Sequence, residues 1–252
     1  MRQTRFALLL WFCSVALAVA EENPPLSIAV AANFAVPLKT LLVEFAAQTN
    51  IKSRVTVSSS GALYAQIEHG APYDLFLSAD SKRPQALISS GKVSAARVKT
   101  YAVGRLALVG EVRQLSDPRW RDPALRIAIA EPEVAPYGRA AKQLLQKQGL
   151  WQTLSKRLIR GSNIQQTLQF WQTGNVDVAM IAASQCVSYA LTCYSLPADY
   201  QPIVQQLAIL GGGQNAGAAA QLAEFLQSDA VQQQLLALGY APLADISATG
   251  KH

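Results

Sequence analysis

A run of three serines and a glycine, Ser58 to Gly61, stands where a β-branched segment ends and an apolar-periodic helix is expected to begin. Such a strand-to-helix turn presents unpaired backbone N–H groups, side-chain hydroxyls and the positive end of a helix dipole to one point. No Lys or Arg lies within the turn, so an anion held there would be bound by neutral donors. A serine at this place is also the usual N-cap of a helix. The motif therefore predicts either an anion-binding turn or a simple cap.

Motifs of the common enzyme and cofactor sites are missing from the sequence. It has no Gly-x-x-x-x-Gly-Lys phosphate loop, no Gly-x-Ser-x-Gly elbow, no Gly-x-Gly-x-x-Gly loop and no His-Glu-x-x-His helix. The two histidines, His69 and His252, are not placed to activate a serine, and Asp74 and Asp80 stand about 20 Å apart at opposite ends of one extended segment. We expect no enzyme activity, catalytic residue, metal site or cofactor. A secreted hydrolase with Ser60 as its nucleophile is kept as an alternative that lacks an evident base.

The N-terminus predicts secretion. Arg2 and Arg5 precede an apolar run from Phe6 to Ala20 that ends in an Ala-x-Ala sequence, which is the pattern of a cleavable signal peptide. The run is shorter than the roughly 20 residues of a membrane span, so a retained anchor is the lesser alternative. We therefore expect residues 1–20 to be a signal peptide cleaved after about Ala20, a periplasmic protein, and no membrane insertion afterwards. Cys13 lies inside the apolar run and does not fit a lipid-modified cysteine.

The net charge limits the classes of binding partner, and the cysteines indicate a cross-link. Cleavage after Ala20 would leave 232 residues and lower the formal charge from +6 to +4, with Lys and Arg scattered along the chain. Such a pattern argues against a nucleic-acid surface. Cys186 and Cys193 would remain, and an oxidising compartment favours a disulfide between them over two buried thiols.

Short apolar runs alternate with helical patterns, which predicts an α/β protein with parallel sheets flanked by helices. The predicted strands are Ser27 to Ala31, Arg54 to Ser58, Asp74 to Ser78, Leu106 to Val109, Arg126 to Ala130, Val176 to Ala182 and Ile203 to Leu210. The predicted helices are Val36 to Gln48, Ala62 to His69, Arg83 to Ser89, Gly138 to Gln148, Ile164 to Thr173 and a pair within Ala216 to Ala237.

The length of this alternation predicts two lobes, each a mostly parallel sheet with helices. We assign residues 21–104 and 206–252 to the first lobe and residues 105–205 to the second, with a ligand cleft between them. Two long apolar segments that end in glycine, Tyr101 to Gly110 and Pro202 to Gly211, are the expected crossing strands.

Three further polar turns lie beside predicted elements: two follow strands, and one precedes a helix. They are Ala31 to Phe34, Glu131 to Gly138 and Gly161 to Ile164. Ligands of open α/β folds sit at the carboxyl ends of strands, so these turns and the serine turn are expected to meet at one cleft.

Together these turns resemble the periplasmic molybdate-binding proteins of ABC importers. The resemblance is carried by Ala31-Ala32-Asn33-Phe34, by Ser58-Ser59-Ser60-Gly61-Ala62-Leu63, by Glu131-Pro132 with Pro136-Tyr137-Gly138, and above all by Gly70-Ala71-Pro72-Tyr73-Asp74-Leu75-Phe76-Leu77-Ser78-Ala79-Asp80. It extends from about Leu26 to about Leu243 and includes Leu238-Gly239-Tyr240 near the end of the chain.

The resemblance implies a two-lobed type II periplasmic binding protein, expected to be a monomer, that closes on molybdate or tungstate and delivers it to a membrane permease. By position, Asn33 would offer side-chain and backbone donors, Ser60 its hydroxyl, and Ala32 a further amide. Tyr137 would offer a backbone N–H and its hydroxyl, and Ile164 a backbone N–H at a helix start. A receptor for sulfate or another tetrahedral oxyanion is the alternative of the same class.

Ala182 marks a departure from the family, because many members have a ligand-contacting tyrosine at this position. One hydrogen bond to the ligand is therefore either missing or supplied by another group, for which Tyr137 is the candidate. Some members also have serine where Asn33 stands.

Overall fold

A computed structural model describes residues 24–211 and 215–244, which form two five-stranded sheets flanked by helices. The predicted signal peptide with Arg2, Arg5 and Cys13 lies outside the described residues, as does His252. The strands of the described chain are β1 (Leu26–Ala31), β2 (Ser53–Ser58), β3 (Leu75–Leu77), β4 (Val98–Gly104), β5 (Leu106–Gly110), β6 (Ile127–Ala130), β7 (Ile159–Gly161), β8 (Val178–Ala182), β9 (Cys193–Ser195) and β10 (Ile203–Ile209). Its α-helices are α1 (Ala35–Thr49), α2 (Ser60–Glu68), α3 (Lys82–Ser89), α4 (Pro136–Lys147), α5 (Trp151–Leu154), α6 (Ile164–Gln172), α7 (Ala183–Ser188), α8 (Ala216–Gln227) and α9 (Asp229–Ala237).

The two sheets have the same pattern of strand directions. Strand order is β2-β1-β3-β10-β4 in the first sheet and β7-β6-β8-β5-β9 in the second. In each sheet the first three strands pair in parallel, and the fourth pairs antiparallel with both of its neighbours. Four strands of each sheet therefore run in the same direction. The reversed strands, β10 and β5, are the ones that follow a passage of the chain from one sheet to the other.

Burial explains why the central strands are continuous apolar runs. Every residue of β1, β3, β6 and β8 is buried, as expected for strands whose two faces are both covered by helices. The larger apolar cluster of each sheet lies around Phe34, Phe45 and Tyr101 in the first and around Trp120 and Leu144 in the second, and a smaller cluster covers the other face of each sheet. No helix among the described residues is long and apolar enough to cross a membrane.

The predicted strands and helices are present, with ends that differ by up to two residues, and the first predicted crossing segment does pass between the sheets, although not as one continuous strand. The segment Tyr101 to Gly110 is divided between β4 and β5, because β4 pairs with β10 in the first sheet and β5 pairs with β8 in the second. Arg105 is therefore the point at which the chain leaves one ladder for the other. The sequence also missed two short strands, β7 and β9, and two short helices, α5 and α7.

Lobe limits from the sequence stay a prediction. The change of sheet at Arg105 lies beside the first predicted limit, whereas β10 belongs as a whole to the first sheet and spans the second limit at residues 205 and 206.

A disulfide joins Cys186 of α7 to Cys193 of β9, as the sequence predicted. The two Cα atoms are 6.0 Å apart, within the usual range for a disulfide. The bridge closes a short loop at the edge of the second sheet.

Replacing both cysteines by serine should lower the free energy of unfolding by about 2.5 kcal/mol, because the cross-link restricts the unfolded chain over this short loop. Urea unfolding of the oxidised protein and of Cys186→Ser/Cys193→Ser measures the difference. Wild-type protein treated with a reductant is the control and should resemble the double variant. Equal stability of all three samples would contradict the prediction.

Candidate functional site

The four turns singled out in the sequence meet at one cavity between the two sheets. The cavity is narrow, with room for about one water-sized sphere. Its lining residues are Ala31, Ala32, Asn33, Ser59, Ser60, Ala79, Ala135, Pro136, Tyr137, Asn163 and Ile164. The structure thus brings all five predicted anion-binding residues, Ala32, Asn33, Ser60, Tyr137 and Ile164, to one place.

The two roles considered for the serine turn, helix cap and anion donor, belong to different serines. Ser59 is the N-cap of α2 and accepts a hydrogen bond from the Ala62 N–H at 3.2 Å, so the helix begins at Ser60 and not at Ala62. Ser60 is completely buried, and its hydroxyl oxygen accepts from the Ala79 N–H at 2.8 Å. That bond orients the hydroxyl while leaving its proton without an acceptor among the described hydrogen bonds. Ser60 is therefore able to donate into the cavity it lines.

Three helices of the cavity wall begin with N–H groups that have no acceptor in their own helix. They belong to Ser60 of α2, Tyr137 of α4 and Ile164 of α6, all in a first helical turn. None of the hydrogen bonds found in the described part of the chain uses these N–H groups. The Asn163 side chain caps α6 through the N–H groups of Gln165 and Gln166, which leaves that of Ile164 free. Unpaired donors and positive helix ends thus converge from both sheets.

Asn33 is held in the turn after β1 by four partners from distant parts of the chain. Its Nδ2 donates to Gln205 Oε1 at 2.9 Å and lies 3.4 Å from the hydroxyl oxygens of Tyr137 and Tyr240. Its carbonyl oxygen accepts from the hydroxyls of Tyr240, at 3.2 Å, and Ser184, at 3.3 Å. Its Oδ1 is buried and has no hydrogen-bond partner. The expected side-chain donor of Asn33 is therefore already bound to protein, and the free atom is an acceptor.

Gln205, Ser184 and Tyr240 were missed as site residues by the sequence analysis. The available signal was weak: Gln205 and Gln206 interrupt an otherwise apolar strand, and Gln205 is completely buried. Buried polar side chains need hydrogen-bond partners, so a glutamine pair inside such a strand indicates a polar network.

Tyr137 links the cavity to the first passage between the sheets. Its hydroxyl oxygen accepts from Gln205 Nε2 at 3.2 Å and lies so close to Gly104 that a Cβ at position 104 would collide with it. Burial raises the pKa of Tyr137 well above its usual range, so the hydroxyl stays protonated. Ala182 stands at the position where many family members have a tyrosine. It is buried, and its N–H donates to Gln185 Oε1 at 3.0 Å. Replacement of that tyrosine by Tyr137 stays a prediction.

Contacts across the cavity hold the two sheets together. The Gly61 N–H donates to Val134 O at 2.9 Å, and Arg83 Nη2 donates to Glu133 O at 3.1 Å. A Cβ on Gly61 would lie 2.9 Å from Val134 Cα, so the backbones meet only because residue 61 is glycine.

Asp80 offsets one of the two positive charges that Arg83 and Arg139 bring close to the cavity. It forms an ion pair with Arg83 and a second one with Arg139, whose Nη2 is 3.2 Å away. Neither arginine lines the cavity. Asp74, the other carboxylate considered in the sequence, binds the Ser27 N–H at 2.8 Å. Both aspartates thus make structural contacts.

No group of three or more His, Cys, Asp and Glu side chains suited to a metal ion occurs among the described residues. His69 ends α2, is exposed, and has its Nδ1 2.7 Å from the Ala65 carbonyl oxygen.

Comparison with known proteins places this arrangement among solute-binding proteins. Residues 26–241 match the family described as bacterial extracellular solute-binding protein. The molybdate-binding protein ModA of Azotobacter vinelandii is 34% identical over 233 residues, which cover 89% of this chain and 92% of the relative. ModA of Rhodobacter capsulatus is 35% identical over 217 residues, covering 84% and 86%. The solved periplasmic molybdate-binding protein of Azotobacter vinelandii has a TM-score of 0.79 at 32% identity, covering 86% of this chain and 98% of that structure.

Replacing Ser60 by alanine should lower the free energy of unfolding by about 1 to 3 kcal/mol, because the buried Ala79 N–H loses its acceptor. Chemical denaturation without ligand measures the change. Ser90→Ala is the matched control, since the exposed Ser90 hydroxyl donates to the Leu87 carbonyl and its loss should cost no more than about 0.5 kcal/mol. A Ser60→Ala variant as stable as the wild type would refute the structural role of the hydroxyl.

Proposed function

This chain belongs to the bacterial extracellular solute-binding proteins, and we propose that it is the periplasmic receptor that binds molybdate and tungstate for an ABC-type importer. Its fold is that of a type II periplasmic binding protein, and its relatives are binding proteins and not enzymes. Within this proposal, the receptor acts as a monomer after signal cleavage and delivers its anion to a membrane permease. The observation that supports the ligand most strongly is the set of unpaired neutral donors around one buried cavity.

Neutral donors suit a fully deprotonated tetrahedral anion. Molybdate, tungstate and sulfate offer only acceptor oxygens near neutral pH, so N–H and O–H groups satisfy them without a carboxylate. The N–H groups of Ser60, Tyr137 and Ile164 lie in first helical turns, so the helices that carry them fix their directions. We propose that these three N–H groups, the Ser60 hydroxyl and the backbone N–H groups of Ala32 and Asn33 surround the anion.

Cavity size is the proposed basis of discrimination among dianions. Sulfate has the same hydrogen-bonding capacity as molybdate and differs in radius, whereas molybdate and tungstate are nearly equal in size. We therefore expect similar affinity for the last two and weaker binding of sulfate. Hydrogen phosphate differs in kind, because its proton needs an acceptor.

A hydrolytic role for Ser60 is not supported by its surroundings. Among the described contacts the Ser60 hydroxyl meets only the Ala79 N–H, which is a donor and not a base. His69 lies at the other end of α2, a helix of nine residues and about 13 Å in length.

Molybdate and tungstate should stabilise the purified protein in a thermal-shift assay, and sulfate and phosphate should do so much less at equal concentration. At about 100 times its dissociation constant a ligand adds about 2.7 kcal/mol of stability, or about 5 to 10 °C in Tm for a chain of this size. Absence of a shift with both molybdate and tungstate would contradict the proposed ligand, and a shift with sulfate alone would favour the sulfate receptor.

Gly61→Ala should weaken molybdate binding by about 1 to 3 kcal/mol, or about five- to 150-fold in Kd, because the new Cβ forces the Val134 backbone away and opens the cavity. Gly217→Ala is the control, since no atom lies within 4 Å of a Cβ at that exposed position and its Kd should not change. Isothermal titration calorimetry measures both. Wild-type affinity in Gly61→Ala would show that the close contact of the two backbones is not needed for binding.

A further inference from the structure

The side chains of Asn33 and Gln205 form a buried amide pair next to the cavity. Asn33 is 2% exposed and Gln205 is not exposed at all. In the structure Asn33 Nδ2 donates to Gln205 Oε1, and Gln205 Nε2 donates to the Tyr137 hydroxyl oxygen. Asn33 lines the cavity, and its Oδ1 is the amide atom that has no hydrogen-bond partner in the described part of the chain.

Donors and acceptors do not balance in this arrangement. The Tyr101 hydroxyl has a single proton and two acceptors within reach, Ser78 O at 3.2 Å and Gln205 Oε1 at 3.0 Å. Gln205 Oε1 also accepts from Asn33 Nδ2, so Tyr101 can give its proton to Ser78 O, and among the described residues Asn33 Oδ1 is the acceptor of this pair that has no donor. A buried acceptor without a donor is costly.

Turning both amides by 180° gives a second arrangement, in which the Asn33 NH₂ is the group of the amide pair that lacks a partner among the described residues. Gln205 Nε2 then donates to Asn33 Oδ1 and to the Tyr101 hydroxyl oxygen, and Tyr101 gives its proton to Ser78. The Tyr137 hydroxyl donates to Gln205 Oε1. Asn33 Nδ2 takes the place of the unpartnered Oδ1, so its two N–H groups become available to a ligand.

We propose that Gln205 is a positioning residue that sets the orientation of the Asn33 amide and so decides whether the cavity offers an N–H donor or a carbonyl acceptor. This inference rests on the proposed function, because it concerns the same oxyanion site. A fully deprotonated dianion selects the turned arrangement, in which Asn33 donates. A protonated oxyanion selects the other arrangement, in which Asn33 Oδ1 accepts its proton.

The surroundings of Gln205 allow a clean test because the described residues around it include no other group that titrates near neutral pH. The ionisable side chains in this cluster are Tyr101, Tyr137 and Tyr240, and burial raises the pKa of each above its usual range. Asp80, which acts on Tyr101 electrostatically, is paired with two arginines.

Gln205→Met keeps the size of the side chain and removes both hydrogen-bonding groups without adding charge. We expect its Kd for molybdate to rise at least about tenfold. Gln205→Glu adds a pH signature, because a protonated carboxyl can donate to Asn33 Oδ1 whereas a carboxylate can only accept from Nδ2. Burial raises the pKa of such a carboxyl, so its molybdate affinity should fall as the pH rises from about 5.5 to about 8.5. Wild-type affinity should stay flat over that range.

Gln206→Glu is the matched control. Gln206 follows Gln205 in β10, but a bulge separates their pairing and its side chain contacts Thr100 and Gln85. Its affinity for molybdate should stay within about twofold of the wild type at every pH.

Calorimetric titration of the wild type and the three variants with sodium molybdate decides the matter. Wild-type affinity in Gln205→Met overturns the inference and leaves the proposed function intact, whereas absence of binding by the wild type overturns both. Should a Gln205 variant fail to fold, side-chain amide NMR of the wild type replaces it. The Asn33 NH₂ signals, assigned by their loss in Asn33→Ser, must shift when molybdate binds, and unshifted signals overturn the inference.

Discussion

Backbone N–H groups in the first turn of a helix have no acceptor within that helix, and this constraint governs the centre of the molecule. The turns that precede α2, α4 and α6 meet at the same cavity, so unpaired N–H groups from both sheets lie around it. Buried donors need partners, and an anion of matching size can satisfy all of them at once. The strand directions in each sheet make this possible. Strands that run in the same direction have their carboxyl ends, and the starts of the helices that follow, at one edge of the sheet.

Charged side chains lie near the cavity but do not line it. Asp80 holds Arg83 and Arg139, and Arg83 also binds a carbonyl of the opposite lobe. The ion pairs thus contribute to holding the lobes together while the cavity wall itself stays neutral. A binding site without a net charge of its own satisfies a dianion through the number and direction of its donors, which makes size and protonation state the properties it can distinguish.

Local patterns in the sequence predicted the parts of the site that depend on local structure. Asn33, Ser60, Tyr137 and Ile164 each stand beside a strand end or a helix start, and a resemblance to a known family indicated which turns belong together. The capping role of Ser59 was not separated from the role of Ser60, because both serines fit the same turn and only the contact with Ala79 distinguishes them.

What the sequence could not give are the contacts between distant segments. Gln205 and Tyr240 are 172 and 207 residues from Asn33 along the chain, and no local periodicity relates them. The break at Arg105 was missed for a similar reason, since the end of β4 from Tyr101 and the whole of β5 are both apolar, and their separation follows from pairing with β10 and β8. Partners of this kind are set by topology, and they determine which atoms of Asn33 and Tyr137 remain for a ligand.

The central claim is that neutral donors from both lobes hold one molybdate ion in this cavity. X-ray diffraction from crystals grown with molybdate, recorded at the molybdenum absorption edge, tests it most directly. The account predicts a single anomalous peak between Ser60 and Ile164, with N–H and O–H groups and no Lys or Arg side chain in contact. A peak beside Arg139, or no peak in the cavity, would contradict it.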